Sequence, residues 1–195
     1  YLLRYLSKQG ITHVIISTGY KKEAFAGLRL DAFPNLTITY SEESTPLGTG
    51  GGLKLASTCI IGENFFALNG DTYFPVPLKT LEDLHMKTDA DVTIALKPFK
   101  NFDRYGTVKS NSDKKILQFI EKVSCDAGDI NGGVYLMKKT ALKDFNDNPF
   151  SLEKDLLETK VKDKNFYCFR FENYFLDLGV PEDFKRAQTD SKSWE

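Results

Sequence analysis

Apolar and polar positions change period several times along the chain, and each change marks an element. Leu2, Leu3 and Leu6 fall at helical spacing, and Gly10 follows as a helix stop. Val14-Ile15-Ile16, closed by Ser17-Thr18-Gly19, predicts a short buried strand and a turn. Leu36 to Tyr40 alternates and predicts a second strand. The stretch from Tyr20 to Asn35 between them is the place for a helix, although its periodicity is poor. Phe65-Phe66-Ala67-Leu68 is a continuous apolar run ending in Asn69-Gly70-Asp71-Thr72. Such a run predicts a strand covered on both faces, as in a parallel sheet. Leu78, Leu81 and Leu84 share one helix face, with Thr80 and Asp83 as a loose capping pair. Asp91 to Leu96 reads as another strand.

The pattern then shifts toward hairpins. Gly106 to Lys109 and Ile116 to Ile120 flank Asn111-Ser112-Asp113-Lys114, an antiparallel pair around a turn. Val134 to Met137 predicts a strand, and Leu152 with Leu156 a helix opened by Ser151. Phe166 to Leu178 is strand-rich, and Pro181 opens a last helix, where its missing N–H costs nothing. Helices alternate with strands first and hairpins enter later, which defines an α/β fold with a sheet of mixed direction.

Length and charge narrow the picture. The 195 residues suit one domain with a sizeable core. A net charge of -1 argues against a general nucleic-acid binder, while a small anionic ligand needs only a local site. No apolar run is long enough to span a membrane. Cys59, Cys125 and Cys168 are widely spaced and have no CxxC partner, so they read as buried, inert thiols in a reducing compartment. His13 and His85 have no nucleophile or ligand near them in sequence and read as structural. The chain opens at Tyr1 directly into a helical pattern with no cap, as expected if a segment precedes it.

Four features could carry chemistry. Leu47-Gly48-Thr49-Gly50-Gly51-Gly52 is costly in backbone entropy. It reads either as bare backbone lying against a ligand or as a flexible surface loop. It is not a P-loop, because the Lys-Ser/Thr ending is missing. Asn69-Gly70-Asp71 follows a buried run, where α/β sheets place ligands, and Asp71 could hold Mg²⁺. An Asx turn is the alternative. Asp177, after Tyr174-Phe175-Leu176, could pair with Asp71, or could simply favour a helix dipole. Glu121-Lys122 and Asn131-Gly132-Gly133 offer a phosphate-binding cation and sugar-reading groups, or a solvated ion pair.

Taken in order, six pieces form a pattern. They are Leu47-Gly48-Thr49-Gly50-Gly51, Leu68-Asn69-Gly70-Asp71-Thr72, Tyr105-Gly106-Thr107-Val108, Phe119-Ile120-Glu121-Lys122, Ile130-Asn131-Gly132-Gly133-Val134-Tyr135 and Phe175-Leu176-Asp177-Leu178-Gly179-Val180-Pro181-Glu182-Asp183. This order resembles the sugar-phosphate nucleotidyltransferase family, from residue 1 to about Gln188. Within it, the Leu-Gly-Thr-Gly-Gly, Tyr-Gly-Thr-Val and Ile-Asn-Gly-Gly-Val-Tyr pieces are most similar to guanylyltransferases acting on D-glycero-α-D-manno-heptose 1-phosphate.

The resemblance implies a Rossmann-like, mostly parallel sheet flanked by helices, with an inserted antiparallel hairpin region. The implied activity is transfer of a nucleotidyl group from an NTP, GTP in that subgroup, to a sugar 1-phosphate, releasing pyrophosphate. By similarity, Leu47, Gly48, Thr49, Gly50 and Gly51, with Asn69 and Gly70, would bind the nucleotide. Asp71 and Asp177 would hold Mg²⁺. Tyr105, Gly106, Glu121 and Asn131 would face the sugar, and Lys122 its phosphate. The implied setting is cytoplasmic supply of a bacterial surface glycan, with neither nucleic acid nor membrane as partner and room for a homo-oligomer.

One departure stands out. The family opens with a strand and a Gly-Gly-x-Gly-Thr-Arg-Leu loop that binds the triphosphate, and neither is in residues 1–195. The expectation is therefore a single nucleotidyltransferase domain lacking its first strand and that loop. The absent strand would lie beside the strands of Val14–Ile16 and Phe65–Leu68. Mannose 1-phosphate and glucose 1-phosphate nucleotidyltransferases are rivals within the fold. A non-catalytic sugar-nucleotide-binding or regulatory domain is the rival from another class. A metal-dependent glycosyltransferase fits less well, since Asp71-Thr72-Tyr73 lacks the second acid of Asp-x-Asp.

Overall fold

The computed structural model describes residues 1–19, 32–103, 105–120, 125–146, 149–179 and 181–190. They form a mixed α/β structure whose contacts divide into two compact units. One comprises 1–2, 66–137 and 161–195, the other 3–65 and 138–160.

The first unit is built around strand β5 (Val92–Phe102). Its β-branched and aliphatic start, Val92 to Leu96, is fully buried. β5 runs parallel to β9 (Phe166–Arg170) on one side and antiparallel to β8 (Cys125–Lys138) on the other. β6 (Thr107–Ser110) and β7 (Ile116–Ile120) form the antiparallel hairpin, and β6 joins β8. β3 (Asn64–Leu68) also pairs with β8, completing a sheet of six strands. Helix α3 (Leu78–Thr88) packs on β5 and β9 through Leu78, Leu81 and His85. Burying each such aliphatic side chain contributes roughly 1.5–3 kcal/mol. Helix α4 (Pro181–Asp190) follows a short strand, β10 (Leu176–Asp177), which pairs antiparallel with β4 (Thr72–Tyr73).

In the second unit, β1 (His13–Thr18) and β2 (Thr37–Glu42) form a parallel pair. Helix α1 (Leu2–Lys8) precedes them and ends at Gly10, whose φ of 79° needs the missing Cβ. Helix α2 (Gly48–Ser57) packs on β1, β2 and a π-helix (Leu152–Glu158). Ser151 caps that π-helix by accepting the Lys154 N–H, as its sequence position predicted.

Several expectations need correction. Val14, Ile15 and Ile16 are half-buried, not buried, because β2 is the only strand paired with β1 among the described residues. Thr80 lies inside α3, not at its start. Pro77 precedes the helix, and Lys79 takes the ion pairs with Glu82 and Asp83. Leu84 is only half-buried, and His85 fills the inner face, its Nδ1 2.9 Å from Thr93 Oγ1. β5 runs beyond Leu96 through Pro98; there β9 no longer pairs with it, so the missing proline N–H breaks no ladder. β8 starts at Cys125, well before Val134. Cys59 is exposed rather than buried, whereas Cys168 is buried and burial pushes its thiol pKa up. Most of the expected Tyr20–Asn35 helix lies outside the described residues.

Candidate functional site

The first unit gathers the acids. Asp177 ends β10 and stands opposite Thr72 in the antiparallel register, one residue from Asp71. The Leu178 N–H donates to the Asp71 carbonyl at 2.7 Å, so the two acidic residues share one short ladder. Asp71 is exposed and Asp177 half-buried. Asp177 is held at both oxygens. Its Oδ1 accepts the Gly179 N–H at 2.9 Å, and its Oδ2 accepts the Tyr105 hydroxyl at 3.1 Å. Among the described residues neither carboxylate has an ion-pair partner.

Asn69, Asn131 and Gly133 are brought together by a bulge. Two steps along β5, from Ile94 to Leu96, correspond to four along β8, from Tyr135 to Asn131. The extra backbone includes Gly133 at φ 71°, and a Cβ there would lie 2.8 Å from the Asn69 Nδ2. The Asn69 N–H donates to the Gly133 carbonyl at 2.9 Å, which docks the Asn69-Gly70-Asp71 turn on the bulge. At Gly132 a Cβ would lie 2.4 Å from the Phe74 ring, so glycine is required by packing. Asn131 donates to the Tyr135 hydroxyl at 2.8 Å and accepts the Gly133 N–H at 3.1 Å. Among the described residues its carboxamide keeps one further donor and one lone pair without a partner. The sequence carried the two glycines but not the bulge, which arises only from pairing with β5. Tyr105 and Gly106 are half-buried just before β6.

The glycine-rich stretch is in the second unit, and it is neither a bare loop nor a flexible one. Gly48 begins α2 with φ 73°, and Gly50, Gly51 and Gly52 are buried within the helix. The Gly50 and Gly51 amides donate to the Phe150 carbonyl at 2.9 and 3.4 Å. A Cβ on Gly50 would sit 2.2 Å from the Phe150 ring, and one on Gly48 2.6 Å from its carbonyl oxygen. A Cβ on Gly52 would sit 2.3 Å from Glu43 Oε1, while the other oxygen of that carboxylate accepts the Leu47 N–H at 2.9 Å. The Thr49 hydroxyl accepts the Leu152 N–H at 2.9 Å and donates to Glu153 at 3.0 Å. Close backbone approach was the right physical reason for these glycines, but what approaches Gly48 and Gly50 is Phe150. Leu47, Gly48 and Thr49 keep exposed surface. Glu121 and Lys122 lie outside the described residues.

A sequence profile of the nucleotidyl transferase family matches residues 1–193, and the chain belongs to that family. Enzymes of this family generally use a divalent metal ion. The chain is 43% identical over 189 residues to D-glycero-α-D-manno-heptose 1-phosphate guanylyltransferase of Aneurinibacillus thermoaerophilus, covering 96% of this chain and 82% of that protein. It is 40% identical over 185 residues to the protein of the same name from Campylobacter jejuni, covering 94% and 81%. Among solved structures, HddC from Yersinia pseudotuberculosis, complexed with GMP-PN, superposes with a TM-score of 0.86 at 31% identity. That match covers 97% of this chain and 83% of HddC. Among the described residues, no helix is long and apolar enough to cross a membrane.

Proposed function

We propose that this chain transfers a guanylyl group from GTP to D-glycero-α-D-manno-heptose 1-phosphate and releases pyrophosphate. The observation that carries this reading is 43% identity across nearly the whole chain to an enzyme of that name. The placement of Asp71 and Asp177 on one short ladder agrees with it. In the reaction an oxygen of the sugar phosphate attacks the α-phosphorus of GTP. A phosphorus–oxygen bond forms as the bond to the pyrophosphate leaving group breaks. Such a step needs positioning and charge neutralisation more than covalent help from the protein.

The residues present fit Mg²⁺. Both acids offer hard oxygen donors, and among the described residues Asp177 keeps lone pairs beyond its two hydrogen bonds. No cluster of three or more metal-binding side chains occurs among the described residues. Mg²⁺ usually takes one or two carboxylates and completes its shell with water and phosphate. When bound, the ion would neutralise charge on the α-phosphate and the sugar phosphate. Asp71 and Asp177 would hold it. Gly48 and Thr49, exposed at the start of α2, and the half-buried Leu47 would contact the nucleotide. Asn69 and Gly70 are likewise proposed as nucleotide contacts, while the Gly50 and Gly51 amides are already taken by Phe150. Gly106, Glu121 and Asn131 would read the sugar, and Lys122 would pair with its phosphate. A cytoplasmic enzyme of this kind would supply activated heptose for a bacterial surface glycan.

The test is pyrophosphate release with each NTP against heptose, mannose and glucose 1-phosphates. GTP with the heptose 1-phosphate should give the highest kcat/KM. A preference for mannose 1-phosphate would reassign the sugar. Binding of nucleotide sugars without turnover of any pair would favour a regulatory domain.

A further inference from the structure

Tyr105 is among the residues that similarity assigns to the sugar, and in the structure its hydroxyl is engaged by an acid. It donates to Asp177 Oδ2 at 3.1 Å, although the two residues lie 72 positions apart. The ring is fixed on several sides. Its centroid lies 5.6 Å from that of Phe99, 6.4 Å from Phe102 and 6.2 Å from Phe175, with edge-to-face or tilted geometry. Phe99 and Phe175 also meet at 5.8 Å, and Phe175 meets the buried Phe74 at 5.5 Å. A phenol held in such a cluster cannot swing away without breaking several aromatic contacts.

Asp177 itself sits in a strand of only two residues. Its orientation comes from the Gly179 N–H at one oxygen and the Tyr105 hydroxyl at the other. A carboxylate held at both oxygens presents its remaining lone pairs in one fixed direction. We infer that Tyr105 is a positioning residue, which orients the Asp177 carboxylate for a divalent cation rather than contacting the sugar. Hydrogen-bonded partners of this kind tune metal-binding carboxylates in general. The inference rests on the proposed role of Asp177.

The experiment compares the enzyme with Tyr105→Phe and Asp177→Asn. Mn²⁺ binding is read from the free-ion EPR signal, and kcat and KM are measured across a Mg²⁺ titration. Tyr105→Phe keeps the ring and removes the hydroxyl. It should weaken Mn²⁺ binding about tenfold, the size expected for a lost hydrogen bond to a charged group. Saturating Mg²⁺ should then restore most of kcat, with KM for the sugar phosphate unchanged. Asp177→Asn should weaken Mn²⁺ binding further. If Asp177→Asn weakens Mn²⁺ binding and Tyr105→Phe does not, the positioning role is wrong and the Asp177 reading stands. Wild-type Mn²⁺ affinity in Asp177→Asn would remove that reading and this inference with it. A raised KM for the sugar phosphate with intact Mn²⁺ affinity in Tyr105→Phe would return Tyr105 to the sugar. Phe102→Leu trims the cluster but spares the hydroxyl. If it melts as low as Tyr105→Phe yet binds Mn²⁺ normally, the hydroxyl is responsible; if it also loses Mn²⁺ affinity, general packing is, and the inference fails.

Discussion

Asp71 is the residue at which function and stability separate most cleanly. It is exposed, sits in a turn, and has no ion-pair partner among the described residues. What anchors the turn is backbone: the Asn69 amide on Gly133 and the Asp71 carbonyl under Leu178. Asp71→Asn should therefore leave the thermal melt within about a degree or two, since surface changes away from special features alter stability little. Turnover should fall about a hundredfold or more, because the change would remove a ligand of the cation proposed to neutralise phosphate charge, and such a cation contributes several kcal/mol to the transition state. Parallel melts and pyrophosphate assays on the two proteins check both halves. A variant with normal turnover would remove Asp71 from the metal site. Asp71 and Asp177 were visible as single acids closing apolar segments. The Tyr105 hydrogen bond was not, because nothing local to Tyr105 encodes a partner so distant in sequence.

At the scale of the element, α2 shows how a helix can contradict its own composition. Glycine is about 1 kcal/mol worse than alanine inside a helix, so a start with Gly48, Gly50, Gly51 and Gly52 reads as a loop. Phe150 reverses that reading. Its carbonyl accepts the Gly50 and Gly51 amides, and its ring occupies the space a Cβ on Gly50 would need. The residue responsible lies about a hundred positions downstream, beyond the reach of any window-based pattern. By contrast, the Ser151 cap and the Asn111 hairpin turn were legible, because each is made by neighbours in sequence. Ser151 accepts the Lys154 N–H, and Asn111 Oδ1 accepts the Asp113 and Lys115 amides. Gly50→Ala gains helix propensity yet should destabilise the protein by about 1–3 kcal/mol through overpacking. Trimming the ring in Gly50→Ala/Phe150→Leu should recover part of that loss. Urea unfolding of the two single variants and the double variant measures the coupling. Were Gly50→Ala to weaken nucleotide binding with no change in stability, the glycine would serve the ligand rather than Phe150.

Across the whole molecule, the two units differ in how their strands are held. β5 has β8 on one side, β9 along Val92 to Leu96 on the other, and α3 packed against it; those five residues are fully buried. β1 has β2 alone among the described residues, and Val14, Ile15 and Ile16 stay half-buried. The apolar run at 14–16 has the composition of a strand meant for fuller cover, so the sequence named the element correctly and its surroundings incorrectly. Two paired strands are marginal by themselves, and the outer edge of β1 has no strand partner among the described residues. Opening of β1 and β2 should therefore cost much less than opening of β5 and β8. In a protein of residues 1–195, hydrogen exchange should replace the amides of His13–Thr18 at least about a hundredfold faster than those of Val92–Leu96, a difference of roughly 2.7 kcal/mol in opening free energy. Equal protection of the two strands would show that β1 is held by more than its pairing with β2.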